Sequence, residues 1–188
     1  MNSKEIIRCS WCEKDDLYRN YHDLEWGKPV YDDETLFEFL ILETFQAGLS
    51  WYTILSKRNT FREAFDHFEF RKIALYEEEK VEELLLNRGI IRNRLKILST
   101  ITNAQNFIKI QNEFGSFSKY IWDFVDGNPI DNCPSSIKEI PATSALSDEI
   151  SKELKKRGFK FVGSTVIYAY LQAIGIINDH IASCSFRT

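Results

Sequence analysis

Residues 36–51 read LFEFLILETFQAGLSW, and their spacing decides the fold class of the whole chain. Leu36, Phe39 and Leu40 fall at i, i+3 and i+4, the rhythm of a helical face turned toward a core. The next place on that stripe, i+7, is Glu43. An ionised carboxylate among Leu, Ile and Phe costs several kcal/mol unless something pairs with it, so Glu43 waits for a partner that its own segment does not supply. Asp32 or Asp33 caps this helix, Gly48 ends it, and Ser50 caps the next one, WYTILSKR.

Working outward, the helical period continues almost throughout. Asp15 or Asp16 opens a short helix through Tyr21. EEEKVEELLLN (77–87) reads as a helix with an acidic first turn, as the helix dipole favours. Gly89 breaks it, and RNRLKILSTITNAQNFIKIQNEF (92–114) resumes. FSKYIWDFV (117–125) is another short helix and DGNPIDNCPSSIKEIP (126–141) a loop. SALSDEISKELKKRG (144–158) is a helix capped by Ser144 or Ser147 and closed by Gly158. VGSTVIYAYLQAIGII (162–177) carries β-branched residues, but it is long and unalternating, which points to a buried helix. Nothing resembles a hairpin or a βαβ unit, and there are no internal repeats. The expected architecture is all-α, a single unit over 1–188.

The 188 residues are 44% hydrophobic and 28% charged, with 14% aromatic, a composition that supports the core of one domain. No apolar run reaches the length of a membrane span, and MNSKEIIRCSW lacks the apolar segment of a secretory signal, so the expected partner set excludes membrane and the expected compartment is the cytoplasm. Cysteines at 9, 12, 133 and 184 are too unevenly spaced for a disulfide framework, which makes some of them candidate metal ligands in a reducing compartment. The net charge of −4 argues against a general nucleic-acid binder. The distribution argues the other way, because residues 84–112 hold Arg88, Arg92, Arg94, Lys96 and Lys109 with no acid among them. Residues 152–160 add five cations against Glu153 alone.

Three constellations carry chemistry. His180 and Cys184 stand at i, i+4, one turn apart if DHIASC is helical, a good bite for a tetrahedral metal. Cys9, Cys12 and His22 supply soft ligands at the other end. The spacing leaves two sets open, Cys9, Cys12, His180 and Cys184, which the CxxC pattern favours, and Cys9, His22, His180 and Cys184. Either set closes a four-ligand site, so the metal is expected to be structural zinc that does not activate water. It would tie positions some 170 residues apart, removing several kcal/mol of unfolded-chain entropy on the chain-entropy model.

The second constellation is LLLNRGIIRNRLKIL (84–98), helix, glycine turn and helix with Arg92, Arg94 and Lys96 following, which matches the way a helical hairpin grips a phosphate backbone. The usual hairpin has two glycines around an aliphatic residue, whereas here Gly89 is followed by Ile90 and Ile91. The third is aromatic: Trp11, Tyr18, Tyr21, Trp26 and Trp51, most of them in segments dense with polar residues. With Glu43 they could line a slot that stacks a flat ring, with an added cation–π gain if the ring is positive.

RCSW, YHDLEWG, LETFQAGLSW, GIIRNR, LKKRGFKFVG and NDHIASC, in this order and at these distances, resemble the 3-methyladenine DNA glycosylase I family of the helix-hairpin-helix glycosylase superfamily. The likeness spans residues 8–184. It implies zinc on Cys9, His22, His180 and Cys184, one ion per chain, with Cys12 outside the set. It implies a monomer acting on alkylated double-stranded DNA, hydrolysing the N-glycosidic bond of a flipped 3-methyladenine. Trp51 would stack the base, Glu43 would act as the catalytic carboxylate, and Glu43 and Tyr21 would bond the base's edge, with Trp11, Trp26 and Tyr18 in the same pocket. Gln46, Gly48 and Leu49 would fill the gap in the duplex, and Gly89, Ile90, Arg92, Arg94 and Lys96 would meet the DNA backbone. Many relatives in that superfamily carry a catalytic Asp after the hairpin. Here the only nearby acid is Glu113, which is assigned no role, and no lysine nucleophile is indicated. His67 and Cys133 read as turn and loop residues. Two other readings remain: a zinc-tied helical DNA-binding module without catalysis, and a metal hydrolase built on His22 and Glu43, which would need an open coordination position.

Overall fold

The computed structural model describes residues 6–187. In chain order the helices are α1 (Asp16–Leu24), α2 (Asp33–Gln46), α3 (Trp51–Leu55), α4 (Arg58–Ala64), α5 (Phe70–Ile73), α6 (Glu78–Leu86), α7 (Arg94–Phe114), α8 (Phe117–Asp123), α9 (Ala145–Lys156) and α10 (Ser164–Ala173). The expected caps form: the side chains of Asp15, Asp32 and Ser50 accept amide hydrogens from Tyr18, Thr35 and Thr53. Ser144 opens α9 in a reciprocal capping box with Ser147. WYTILSKR is divided at Ser56 and Lys57 between α3 and α4.

The helix that decides the fold is buried on every side, not along one stripe. All ten residues from Leu36 to Phe45 are buried, as befits a central helix. It packs against α10, α3, α7 and α8, and the Phe37, Phe70, Phe107 and Phe117 rings interlock beside it. Two acids on this helix are therefore buried. Glu38 is met by Arg58 at 2.6 Å and Arg62 at 2.9 Å, while Glu43 has no such neighbour among the described residues.

The all-α expectation needs a small correction. β1 (Ile130–Asp131) and β2 (Ile177–Asn178) pair in parallel, Ile130 opposite Ile177 and Asp131 opposite Asn178. Two-residue strands are too short to leave a period in the sequence. The stretch 162–177 accordingly forms α10 only as far as Ala173 and turns away through Gly175, whose φ is +71°; a Cβ there would lie 2.2 Å from the Lys28 carbonyl carbon. DHIASC is not helical either. His180 precedes a turn in which the Cys184 amide donates to the Ile181 carbonyl at 2.8 Å, so a turn and not a helix face sets the His180–Cys184 bite. His67 sits in a turn at φ +55° and Cys133 is an exposed loop thiol.

Candidate active site and metal centre

A cavity of about 290 Å³ opens between α1, α2, α3 and α10. Trp11, Tyr18, Tyr21, Trp26, Glu43, Gln46 and Trp51, all singled out in the sequence, line it. Trp11 meets Tyr18 edge-on at 4.9 Å and Trp26 at 5.0 Å, and Tyr21 lies 5.2 Å from Trp51. Four further residues of the wall were not anticipated: Ile137, Ile140, Ala169 and Gln172. The first two belong to a stretch read only as loop. The last two share a face of α10 with Thr165 at i, i+4, i+7 spacing, and the polar Gln172 in an apolar run was the available signal.

Glu43 is 3% exposed, and its Oε2 has no hydrogen-bond partner among the described residues. Trp51 Nε1 is likewise buried and unpartnered. Burial alone pushes the Glu43 carboxyl up to about 8, so at pH 7 this side chain is mainly the neutral acid. Burial and the nearby Glu43 also hold the Tyr21 phenol protonated, as a donor. Gln172 is oriented from behind: its Nε2 donates to the buried Asp179 at 2.7 Å, which also accepts from Tyr168 and Asn132. A carboxylate accepts, so the amide nitrogen of Gln172 is committed to Asp179.

The loop after α2 forms the rim of a second cavity of about 190 Å³ that shares Glu43 and Gln46 with the first. Gly48 has φ +81°, which a residue with a Cβ rarely adopts, and Leu49 beside it is 42% exposed.

The residues expected to meet DNA fall into three groups. The turn between α6 and α7 is fixed by Asn87, whose Oδ1 accepts from the Gly89 amide, and by Thr60, which donates to the Gly89 carbonyl. The amides of Ile90, Ile91 and Arg92 donate to no protein acceptor among the described residues, and Arg92 is exposed without an acidic partner. Arg94 is instead paired with Glu78 and Glu82 of α6. Lys96 corrects the expectation of a phosphate contact outright. It is 5% exposed and points inward, donating to the carbonyls of Phe45 at 2.8 Å and Ala47 at 2.6 Å. Glu113 is paired with Arg157 on the surface.

Cys9, His22, His180 and Cys184 converge, all four ligand atoms within 4.8 Å of one another and all buried. Cys12, favoured by spacing, turns away and donates its thiol to the Cys9 carbonyl at 3.1 Å. The separations are those of a small tetrahedron: Cys9 Sγ to His180 Nδ1 3.8 Å, Cys184 Sγ to His22 Nε2 3.6 Å and to His180 Nδ1 3.3 Å. Zinc bonds of about 2.0 to 2.3 Å imply edges of roughly 3.3 to 3.8 Å. The outer contacts fix both tautomers. His180 Nε2 faces the Trp26 carbonyl at 3.1 Å, which only accepts, so the proton sits there and Nδ1 is free for a metal. His22 Nδ1 faces Asp23 at 2.7 Å, itself held by Arg8, so the proton sits on Nδ1 and His22 Nε2 is the lone-pair nitrogen facing the cluster, where it also accepts from the Cys9 amide at 3.4 Å. Burial lowers His180 to about 4 and raises Cys9 to about 12; a neutral imidazole suits a metal, and the Cys9 thiol needs a cation to ionise. The cluster also braces the cavity wall, because Trp26 packs on His180 at 4.7 Å and Trp11 on His22 at 5.2 Å. Among the described residues no helix is long and apolar enough to cross a membrane.

Comparison with known proteins agrees with this geometry. The family model described as methyladenine glycosylase matches residues 11–188. The DNA-3-methyladenine glycosylase 1 of Escherichia coli (strain K12) is 45% identical over 177 residues, 94% of this chain and 95% of the relative. A crystal structure of a 3-methyladenine DNA glycosylase I superposes with a TM-score of 0.94 at 47% identity, covering 97% of this chain and 100% of the other. The Staphylococcus aureus enzyme, solved to explain its recognition of 3-methyladenine, gives 0.93 at 36% identity, covering 96% of each chain. A match over this length and at this identity makes the chain a member of the methyladenine glycosylase family.

Proposed function

We propose that this protein is a monofunctional DNA glycosylase that hydrolyses the N-glycosidic bond of 3-methyladenine in alkylated double-stranded DNA, acting on a base turned out of the helix. The observation that carries the proposal is a buried carboxyl, Glu43, with an unpartnered oxygen inside a cavity walled by indole and phenol rings. Methylation at N3 places positive charge on the adenine, so its bond to deoxyribose is already weak and the leaving base is neutral. The face of Trp51 gains from stacking such a ring, and Tyr21 and Glu43 hydrogen-bond its edge. Arrival of the cation shifts Glu43 from acid to carboxylate. When the bond breaks, the counter-charge disappears and the carboxylate, whose pKa returns toward 8, takes the proton that the attacking water gives up. A guanine-type O6 would face the carboxylate with no hydrogen between them, which favours the amino-bearing edge.

Turning the base out leaves a gap that Leu49, with Gly48 and Gln46, is shaped to fill. The unengaged amides of Ile90, Ile91 and Arg92 and the Arg92 guanidinium support a helix-hairpin-helix grip on phosphate. Cys9, His22, His180 and Cys184 would hold one structural zinc, which supplies a closed tie between the chain's two ends and leaves no position for a water. That closure weighs against a metal hydrolase. The unit acts as a monomer over residues 1–188, in the cytoplasm. Incubation with methylated duplex, followed by chromatography of the released purines, tests the reading: 3-methyladenine appears with the parent protein and is lost in Glu43→Gln and Trp51→Ala. Binding of abasic duplex without any released base would replace it with a non-catalytic DNA-binding module.

A further inference from the structure

Lys96 is the third residue of α7, whose first turn begins at the Asn93 cap just past the Gly89 turn. Its side chain does not leave the protein. The ammonium lies against the C-terminal end of α2, where two of the last carbonyls, Phe45 and Ala47, accept its hydrogens. The carbonyl between them, Gln46, accepts from the Leu49 amide at 2.6 Å. The cation also meets the negative end of the α2 dipole. One buried side chain thus fastens three parts together: the helix that follows the phosphate-gripping turn, the loop that carries Gly48 and Leu49, and the helix that carries Glu43 one turn upstream.

We infer that Lys96 is a positioning residue, setting the shape of the loop over residues 47–49 and transmitting to it the docking of the α6–α7 turn on DNA. This inference rests on the glycosylase reading. A loop held in advance loses less entropy on entering the duplex than one ordered on arrival. Lys96 touches neither the phosphates nor the base.

The test is Lys96→Met, which keeps the stem and removes the donors, with Lys96→Gln as the milder second variant. Three quantities are compared with the parent: affinity for free 3-methyladenine from tryptophan fluorescence, affinity for abasic duplex across a salt series, and single-turnover release from methylated duplex. Positioning predicts free-base affinity within about twofold, duplex release down about tenfold, the loss of roughly one hydrogen bond to a charged group, and an unchanged salt slope. A slope smaller by about one would mark a phosphate contact and overturn the inference. Free-base affinity falling in step with release would mark general loss of structure and overturn it too, as would release at the parent rate.

Amine labelling of the parent protein gives a reading that needs no variant. Lys96 should resist modification equally with and without abasic duplex; labelling of the free protein with protection only on DNA would refute the buried role. Absence of any base release by the parent would instead count against the glycosylase reading, while the labelling result still decides where Lys96 points.

Discussion

Replacing Glu43 with Gln should make the protein more stable at alkaline pH and change little at acid pH, with the difference between the two proteins tracking one titration. Glu43 is fully buried and its carboxyl lies at about 8, against an ordinary value of 4.5. For an acid whose folded pKa is raised, the folded state holds its proton more tightly than the unfolded chain does. Stability is then complete below about pH 4.5, falls as pH rises, and levels off above pH 8. Linkage gives a penalty under about 1 kcal/mol at pH 5, about 3 at pH 7 and about 4 at pH 8. The side-chain amide of the variant is equally buried at every pH and contributes a constant offset. Urea unfolding of parent and variant at pH 5, 6.5 and 8, with saturating zinc throughout, should therefore show their stability difference shifting by roughly 3 kcal/mol in favour of the variant between pH 5 and 8. Other titrating groups cancel in that comparison. Curves that stay parallel over this range would mean that Glu43 is charged and paired at pH 5, and the neutral-acid pocket would be refuted.

The same titration predicts that a cationic purine nucleoside binds more tightly as pH rises, approaching tenfold per unit below pH 8; titration calorimetry in buffers of differing ionisation enthalpy should register one proton released at pH 7. Cys184→Ser should bind less than one equivalent of zinc by elemental analysis and lower the melting temperature while base release at low temperature persists. Arg92→Ala should weaken binding to all duplex sequences alike and lower the salt slope by about one, whereas Arg94→Ala, already paired with Glu78 and Glu82, should change it less; a sequence-selective loss would contradict the phosphate role. Gly175→Ala should cost more than about 3 kcal/mol in chemical denaturation, because its Cβ would overlap the Lys28 backbone at a positive φ.

Most helices and caps, and a buried face over residues 36–43, were legible because each rests on local chemistry, a period of 3.6 and an oxygen at the cap; that the same helix is buried on every side was not. The aromatic slot was legible because four of its five rings lie in polar segments. What local pattern could not give was direction. Cys12 obeys the CxxC spacing, yet the 3-10 turn at Ser10–Cys12 aims its thiol back at Cys9, while His22, a full helix away, supplies the fourth ligand atom of the cluster. Lys96 reads as one more cation in a basic run, and only the fold reveals α2 ending within reach of its ammonium.

The two acids of the opening stretch make the point in energetic terms. Glu38 and Glu43 sit on one helix, five residues apart and both buried; the apolar stripe flagged Glu43, but neither the burial of Glu38 nor the partners that neutralise it could be read from local spacing. Glu38 meets Arg58 and Arg62, 20 and 24 residues downstream, so its charge is matched inside the protein and has nothing left to offer a ligand. Among the described residues Glu43 meets no cation, and its Oε2 is unpartnered, at a cost to stability that grows with pH. A carboxyl kept buried without a partner holds in reserve the interaction that a positively charged base would complete. That reserve is what separates a ligand site from a structural ion pair on the same helix.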